Sequence, residues 1–399
     1  MAYLKKHINI ALGYFLIIAL LGLLLRLFTV IPIAANYKYV IHTHSHIALL
    51  GWVYTALTTL IYKIYLTKKE IYKTYKIIFW STQVTIIGML VTFPFMGYAL
   101  YSIIFSTLFL LASYWFTWFF ITHTSKEQKG TFSYKCIRIA LYYMILSSIG
   151  PWALGAIMNT LGNTSIWYKN AIYFYLHFQY NGWYIMALLG IFFFILEQKK
   201  ISVSKPKPNI LYTTLQTGIL LSFFLSVLWT EPHFVFYILG GVGALFQIVA
   251  YYILIKIIID CRPQLYNHFS TTERALFILV TSLLGLKIGL QAISSIPYFS
   301  ELAYGIIDFV IGYLHLTFLG VVSLCLFAFL SHLKLLKLSK ISMALFVIGF
   351  LGSEILIIYK GIVIWLELSL FPNYFFSLAC ISSLMAIGII YLLVYQLKS

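Results

Sequence analysis

The feature that most limits what this chain can become is its succession of long, nearly uncharged apolar runs. A helix needs roughly 20 apolar residues to cross a hydrocarbon core of about 30 Å, and only helices and closed barrels satisfy their own backbone hydrogen bonds in lipid. The runs begin near residues 8, 40, 76, 102, 136, 170, 210, 234, 273, 303, 340 and 373, which predicts twelve spans. Composition agrees: of 399 residues, 62% are hydrophobic and 9% charged, and the mean hydropathy is +0.95, outside the soluble globular range. We expect an all-α polytopic membrane protein, a bundle of about twelve transmembrane helices in a single integral membrane domain over residues 1–399. The longest polar connections, around 66–76, 124–135 and 198–209, leave no room for a globular appendage, and no internal repeat is evident.

A net charge of +17 invites a nucleic-acid reading, which the distribution of the charge argues against. The cations cluster in alternate connections: Lys5 and Lys6; Lys63 to Lys76; Lys126 to Arg138; Lys199 to Lys207; Lys256 to Arg274; Lys334 to Lys340; then Lys398. The intervening connections hold only Lys38, Lys169 and Lys360. That is the positive-inside asymmetry, and it places both termini in the cytoplasm of a bacterial-type inner membrane. The first span is too long for a removable signal peptide and lacks a small-residue cleavage site.

The four cysteines, Cys136, Cys261, Cys325 and Cys380, are scattered and form neither CxxC nor CxxCH, so any haem would be held by histidine. Of the ten histidines, His7, His123, His268 and His332 fall at cytoplasmic ends, where a solvated side chain is the default. The other six fall toward the outer side: His42, His44 and His46 at the mouth of the second span, His177 in the sixth, His233 between the seventh and eighth, and His315 about twelve residues into the tenth. Histidine inside a membrane needs a partner and marks function by default. His42 and His46 stand one helical turn apart and share a face, whereas His44 points about the other way.

These residues resemble the main subunit of the haem-copper oxidase superfamily, within it the cbb3-type oxidases and nitric oxide reductases, with some NnrS-like features. IGYLHLTFLG, residues 311–320, is similar to that family's helix 10 signature, with His315 on the low-spin haem ligand, Gly320 on the glycine and Tyr313 where the high-spin haem ligand would stand. His42, followed by Thr43 and by Gly51 nine residues on, resembles the other low-spin ligand. His44, His46 and Gly51 fit the NnrS-type HxHxxxxG equally. His177 with Gly182 resembles the helix 6 ligand of copper or non-haem iron, and Asn181 occupies the place of a glutamate. WTEPHFVFY is similar to the cbb3-type WxxPHHxxY, with His233 on its first histidine and Phe234 on its second.

The resemblance implies haem b, held by one of His42, His44 and His46 with His315, and copper or non-haem iron at His177 and His233. It also implies a quinol or cytochrome electron donor and other membrane subunits as partners. Tyr313, Phe234 and Asn181 depart from the pattern at the binuclear centre, so a six-coordinate haem is better supported than reduction of O2 or NO. Buried Lys287, Asp308 and Glu354 invite a proton path, or a Lys287 pair with Asp308 or a haem propionate. The expected function is a haem-binding redox subunit passing electrons to O2 or NO with a degenerate binuclear centre. The alternatives are a non-catalytic haem or copper binder for sensing or cofactor handling, or a metal transporter.

Overall fold

A computed structural model describes residues 2–398. It is all-α, with no strand among the described residues. Twelve helices have the length and apolarity of membrane spans: span 1 Ala2–Leu27, span 2 Tyr37–Tyr65, span 3 Tyr72–Met96, span 4 Leu100–His123, span 5 Phe132–Thr160 and span 6 Ile166–Gln198. Span 7 is Lys207–Thr230, span 8 Val235–Leu265, span 9 Thr271–Ile293, span 10 Ile307–His332, span 11 Lys340–Trp365 and span 12 Tyr374–Leu397. Several starts carry side-chain caps that satisfy orphan amides: Asn36 accepts from the Tyr39 N–H, Thr131 from Tyr134, and Ser270 with Glu273 forms a reciprocal box.

Packing divides the chain into two compact units, residues 1–125 with 326–399, and residues 126–325. In the first, spans 3 and 4 pair, spans 11 and 12 pair, and span 1 packs on spans 2 and 12. In the second, spans 5 and 6 pair, as do spans 7 and 8, while span 9 packs on spans 8 and 10. With no hydrophobic drive between helices in lipid, close backbone approach carries the pairing. Gly243 illustrates it: a Cβ there would collide with the Ser222 nitrogen of span 7.

The extra piece is a short helix, Pro297–Gly305, between spans 9 and 10. The tenth apolar run therefore divides, and the span starts at Ile307 rather than near 303. His315 then lies eight residues in, about 12 Å of helix at 1.5 Å per residue, shallower than the sequence suggests. The short helix is tied down by Tyr304, whose hydroxyl donates to the Leu225 carbonyl at 2.7 Å. Burial holds this phenol above the ordinary tyrosine range.

Spans 2, 6 and 10 are unlike the rest. Their most apolar windows are 89, 78 and 72% buried, against 28 to 56% for the other nine. Each widens part-way into a π-helix, over Ile47–Tyr54, Phe178–Tyr184 and Leu316–Ser323. Each wide segment starts immediately after a histidine, His46, His177 or His315, and has a glycine five residues past it, Gly51, Gly182 or Gly320. The preceding span packs on each segment. A Cβ on Gly51 would meet Tyr14 of span 1 at 3.0 Å, and one on Gly182 would meet Tyr143 of span 5 at 2.6 Å. A local pattern thus recurs every fourth span. This corrects the expectation of no repeat: the shared residues are one histidine and one glycine per copy, set in an apolar background that hides them.

Candidate functional site

In span 2 the first unit arranges the histidine triplet as helical geometry predicts. His42 and His46 bracket one phenol, with ring centroids 4.6 and 5.7 Å from Tyr98, and His46 lies 4.3 Å from the Phe93 ring. His44 turns the other way, its Nδ1 donating to the Ile18 carbonyl of span 1 at 3.1 Å, and Gly22 leaves room for its ring. His46 is fixed as a tautomer. Its Nδ1–H donates to the His42 carbonyl at 2.8 Å, so the lone pair sits on Nε2, which faces the Tyr98 hydroxyl at 3.3 Å. Anchoring one ring nitrogen on a carbonyl and presenting the other is how a metal-ligating imidazole is oriented.

In the second unit, His177 is 1% exposed and both of its nitrogens are engaged. Nε2 donates to the Ile219 carbonyl of span 7 at 2.8 Å, which leaves Nδ1 as the acceptor for the Asn181 amide and the Ser226 hydroxyl, each at 3.3 Å. The Asn181 oxygen accepts in turn from the ammonium of Lys287 in span 9 at 2.6 Å. Lys287, also 1% exposed, donates to Gln291 as well, at 2.6 Å. A continuous chain results: Gln291, Lys287, Asn181, His177, then span 7. The expected Lys287–Asp308 pair is not formed; this cation is held by two neutral oxygens and lies 5.7 Å from the Tyr313 ring. Asn181, where the resemblance puts a glutamate, is the joint between cation and imidazole.

Tyr313 packs 6.3 Å from Tyr180, with its hydroxyl buried and unpartnered. His315 is half-buried at the head of its π-segment. Asp308 is buried in the first turn of span 10, where a carboxylate complements the helix dipole, and Glu354 is half-buried in span 11. His233 is exposed in the bend after span 7, where its Nδ1 accepts from the Val235 N–H at 3.5 Å. Among the described residues, no three of His, Cys, Asp or Glu group as a metal set.

Sequence reasoning missed a second polar region, in the first unit. His7, expected at a solvated end, is 5% exposed: its Nδ1 bonds the Tyr75 hydroxyl at 3.0 Å and its ring stacks on Phe79 at 3.5 Å. Tyr75 in turn stacks on Tyr62 at 3.4 Å. The signal was present in YTALTTLIY, where Tyr54, Thr58 and Tyr62 recur every fourth residue and make one polar stripe on an apolar span.

No known family model matches the chain, and no curated protein matches it.

Proposed function

We propose that this chain is a haem-b-binding protein of a bacterial-type inner membrane, with both termini cytoplasmic. In this reading it passes single electrons from a quinol or cytochrome donor, alongside other membrane subunits. The observation that carries the reading is the repeated histidine at the head of a π-segment in the three most buried spans. Wide turns of this kind are rare in helices and concentrate at functional sites.

The residues fit a haem at their imidazoles. His46 presents Nε2 with its other nitrogen anchored, His42 on the same face has no hydrogen bond on its ring nitrogens among the described residues, and His44 is anchored in the same way on span 1. These are the candidate axial ligands of the first unit; in the second unit His315 is the candidate imidazole ligand and Tyr313 a candidate oxygen ligand. A bound haem b would supply one-electron chemistry. The chain's part is to hold neutral imidazoles in one tautomer inside a low-dielectric interior and to keep water out with aromatic walls such as Phe93 and Tyr98.

The residues do not fit copper or non-haem iron at His177 and His233. His233 lies exposed in a bend, and among the described residues no two further His, Cys, Asp or Glu side chains group with His177. Reduction of O2 or NO, which needs an open-site haem beside a second metal, therefore forms no part of the proposed function.

The test is a reduced-minus-oxidised optical spectrum of protein purified from haem-replete cells. A low-spin haem-b band is expected, lost in His46→Ala or His315→Ala and retained in His177→Ala. A colourless wild-type protein would overturn the reading.

A further inference from the structure

The His7 region does not depend on the haem reading. Between spans 2, 3 and 4 lies a small cavity lined by Tyr54, Thr58, Tyr75, Thr82 and Gln83, with Ile78, Phe79 and Phe116 completing the wall. Its volume is about 10 Å³, the size of a single water site. All five polar side chains are more than nine-tenths buried. Two of them have no partner at full hydrogen-bond geometry, the Gln83 Oε1 and the Tyr54 hydroxyl, which faces the Thr82 hydroxyl.

We propose that this cavity is a built site for ordered water, and that the water joins Tyr54 to the His7–Tyr75 pair in one buried hydrogen-bonded path. The inventory of donors and acceptors carries the inference. The Thr58 and Thr82 hydroxyls donate to the Tyr54 and Ile78 carbonyls, and Gln83 Nε2 donates to the Phe79 carbonyl. The cavity is left with one donor, Tyr54 O–H, one acceptor, Gln83 Oε1, and the remaining lone pairs of two threonines. A water accepts from Tyr54, donates to Gln83 and has a second hydrogen for a threonine oxygen or for Tyr75. That gives it the two to four partners a buried water requires. Leaving both groups dry is costlier than ordering one water.

Tyr75 lines the cavity and is bonded on its far side to His7 Nδ1 at 3.0 Å. Every member of the row His7, Tyr75, water, Tyr54 both donates and accepts. A proton can pass along it when each group takes one proton on a lone pair and releases its own, so that only charge is displaced and nothing is consumed. The row ends at Tyr54, the last residue of the first π-segment.

Water-edited solid-state NMR on the full chain in lipid bilayers, with labelled threonine and glutamine, tests this. Transfer from water is expected at the Thr82 and Gln83 side chains, slower than at residues in exposed connections and faster than at buried threonines outside the cavity. It should be lost at Thr82 in Tyr54→Phe/Gln83→Leu and slowed, without being lost, in His7→Phe. A wild-type cavity silent to water overturns the site, and needs no variant to fold. Transfer unchanged in His7→Phe overturns the path.

Discussion

The residue that most tests the energetics of this interior is Lys287. Its ammonium is buried in a membrane span against two neutral oxygens, so no ion pair offsets its desolvation. Lys287→Met relieves that desolvation but leaves the Asn181 and Gln291 oxygens without their donor, so it should cost no more than about 1 kcal/mol. Asn181→Leu is expected to cost about 3 kcal/mol, because it strips the retained ammonium of one acceptor and His177 of a donor. Thermal unfolding in detergent reads both, and equal losses would refute the account. The split of His42 and His46 from His44 was legible from spacing alone, because a helix fixes direction. The burial of His7 was not. Its neighbours Lys5 and Lys6 mark a helix end, and only the tertiary packing of Tyr75 and Phe79 over its ring removes it from water.

At the scale of elements, the twelve spans could be read because bilayer thickness sets their length. The π-segments could not, since they change hydrogen-bond pattern without changing composition. Gly51 and Gly182 are contact surfaces for the preceding span. Gly182→Ala would place a Cβ 2.6 Å from the Tyr143 ring, which should cost about 1–3 kcal/mol by overpacking. Tyr143→Ala in the same chain should relieve much of that cost, and a double-mutant cycle in thermal unfolding measures the coupling. Additive losses would mean that Gly182 serves something other than this contact. The same argument applies more weakly to Gly51, where the clash with Tyr14 is at 3.0 Å.

For the whole molecule, the proposed orientation rests on lysine and arginine bias alone, and it is directly measurable. In whole cells a cysteine at Asn163, between spans 5 and 6, should react with an impermeant maleimide. One at Ser202, between spans 6 and 7, should react only after the membrane is opened. The reverse pattern would invert the topology and with it the side from which His46 is reached. Three of the four native cysteines are buried, and Cys380 is the one to remove first. The recurrence of a histidine, a glycine and a wide turn every fourth span is the largest feature that stayed hidden in the sequence. Two matching residues in a stretch of more than a hundred do not rise above an apolar background.

The wide turns also change how positions along these spans are counted. Seven residues make almost two full α-turns, so ordinary reckoning puts Tyr184 on the same face as His177. In fact His177 looks onto span 7 through Ile219 and Ser226, while the Tyr184 ring meets Phe318 of span 10 at 5.9 Å. The far half of each such span has slipped in phase against the near half. Substitutions designed by counting from the histidine would land on the wrong neighbour, and an alignment made without allowing that slip would pair residues that never occupy equivalent places.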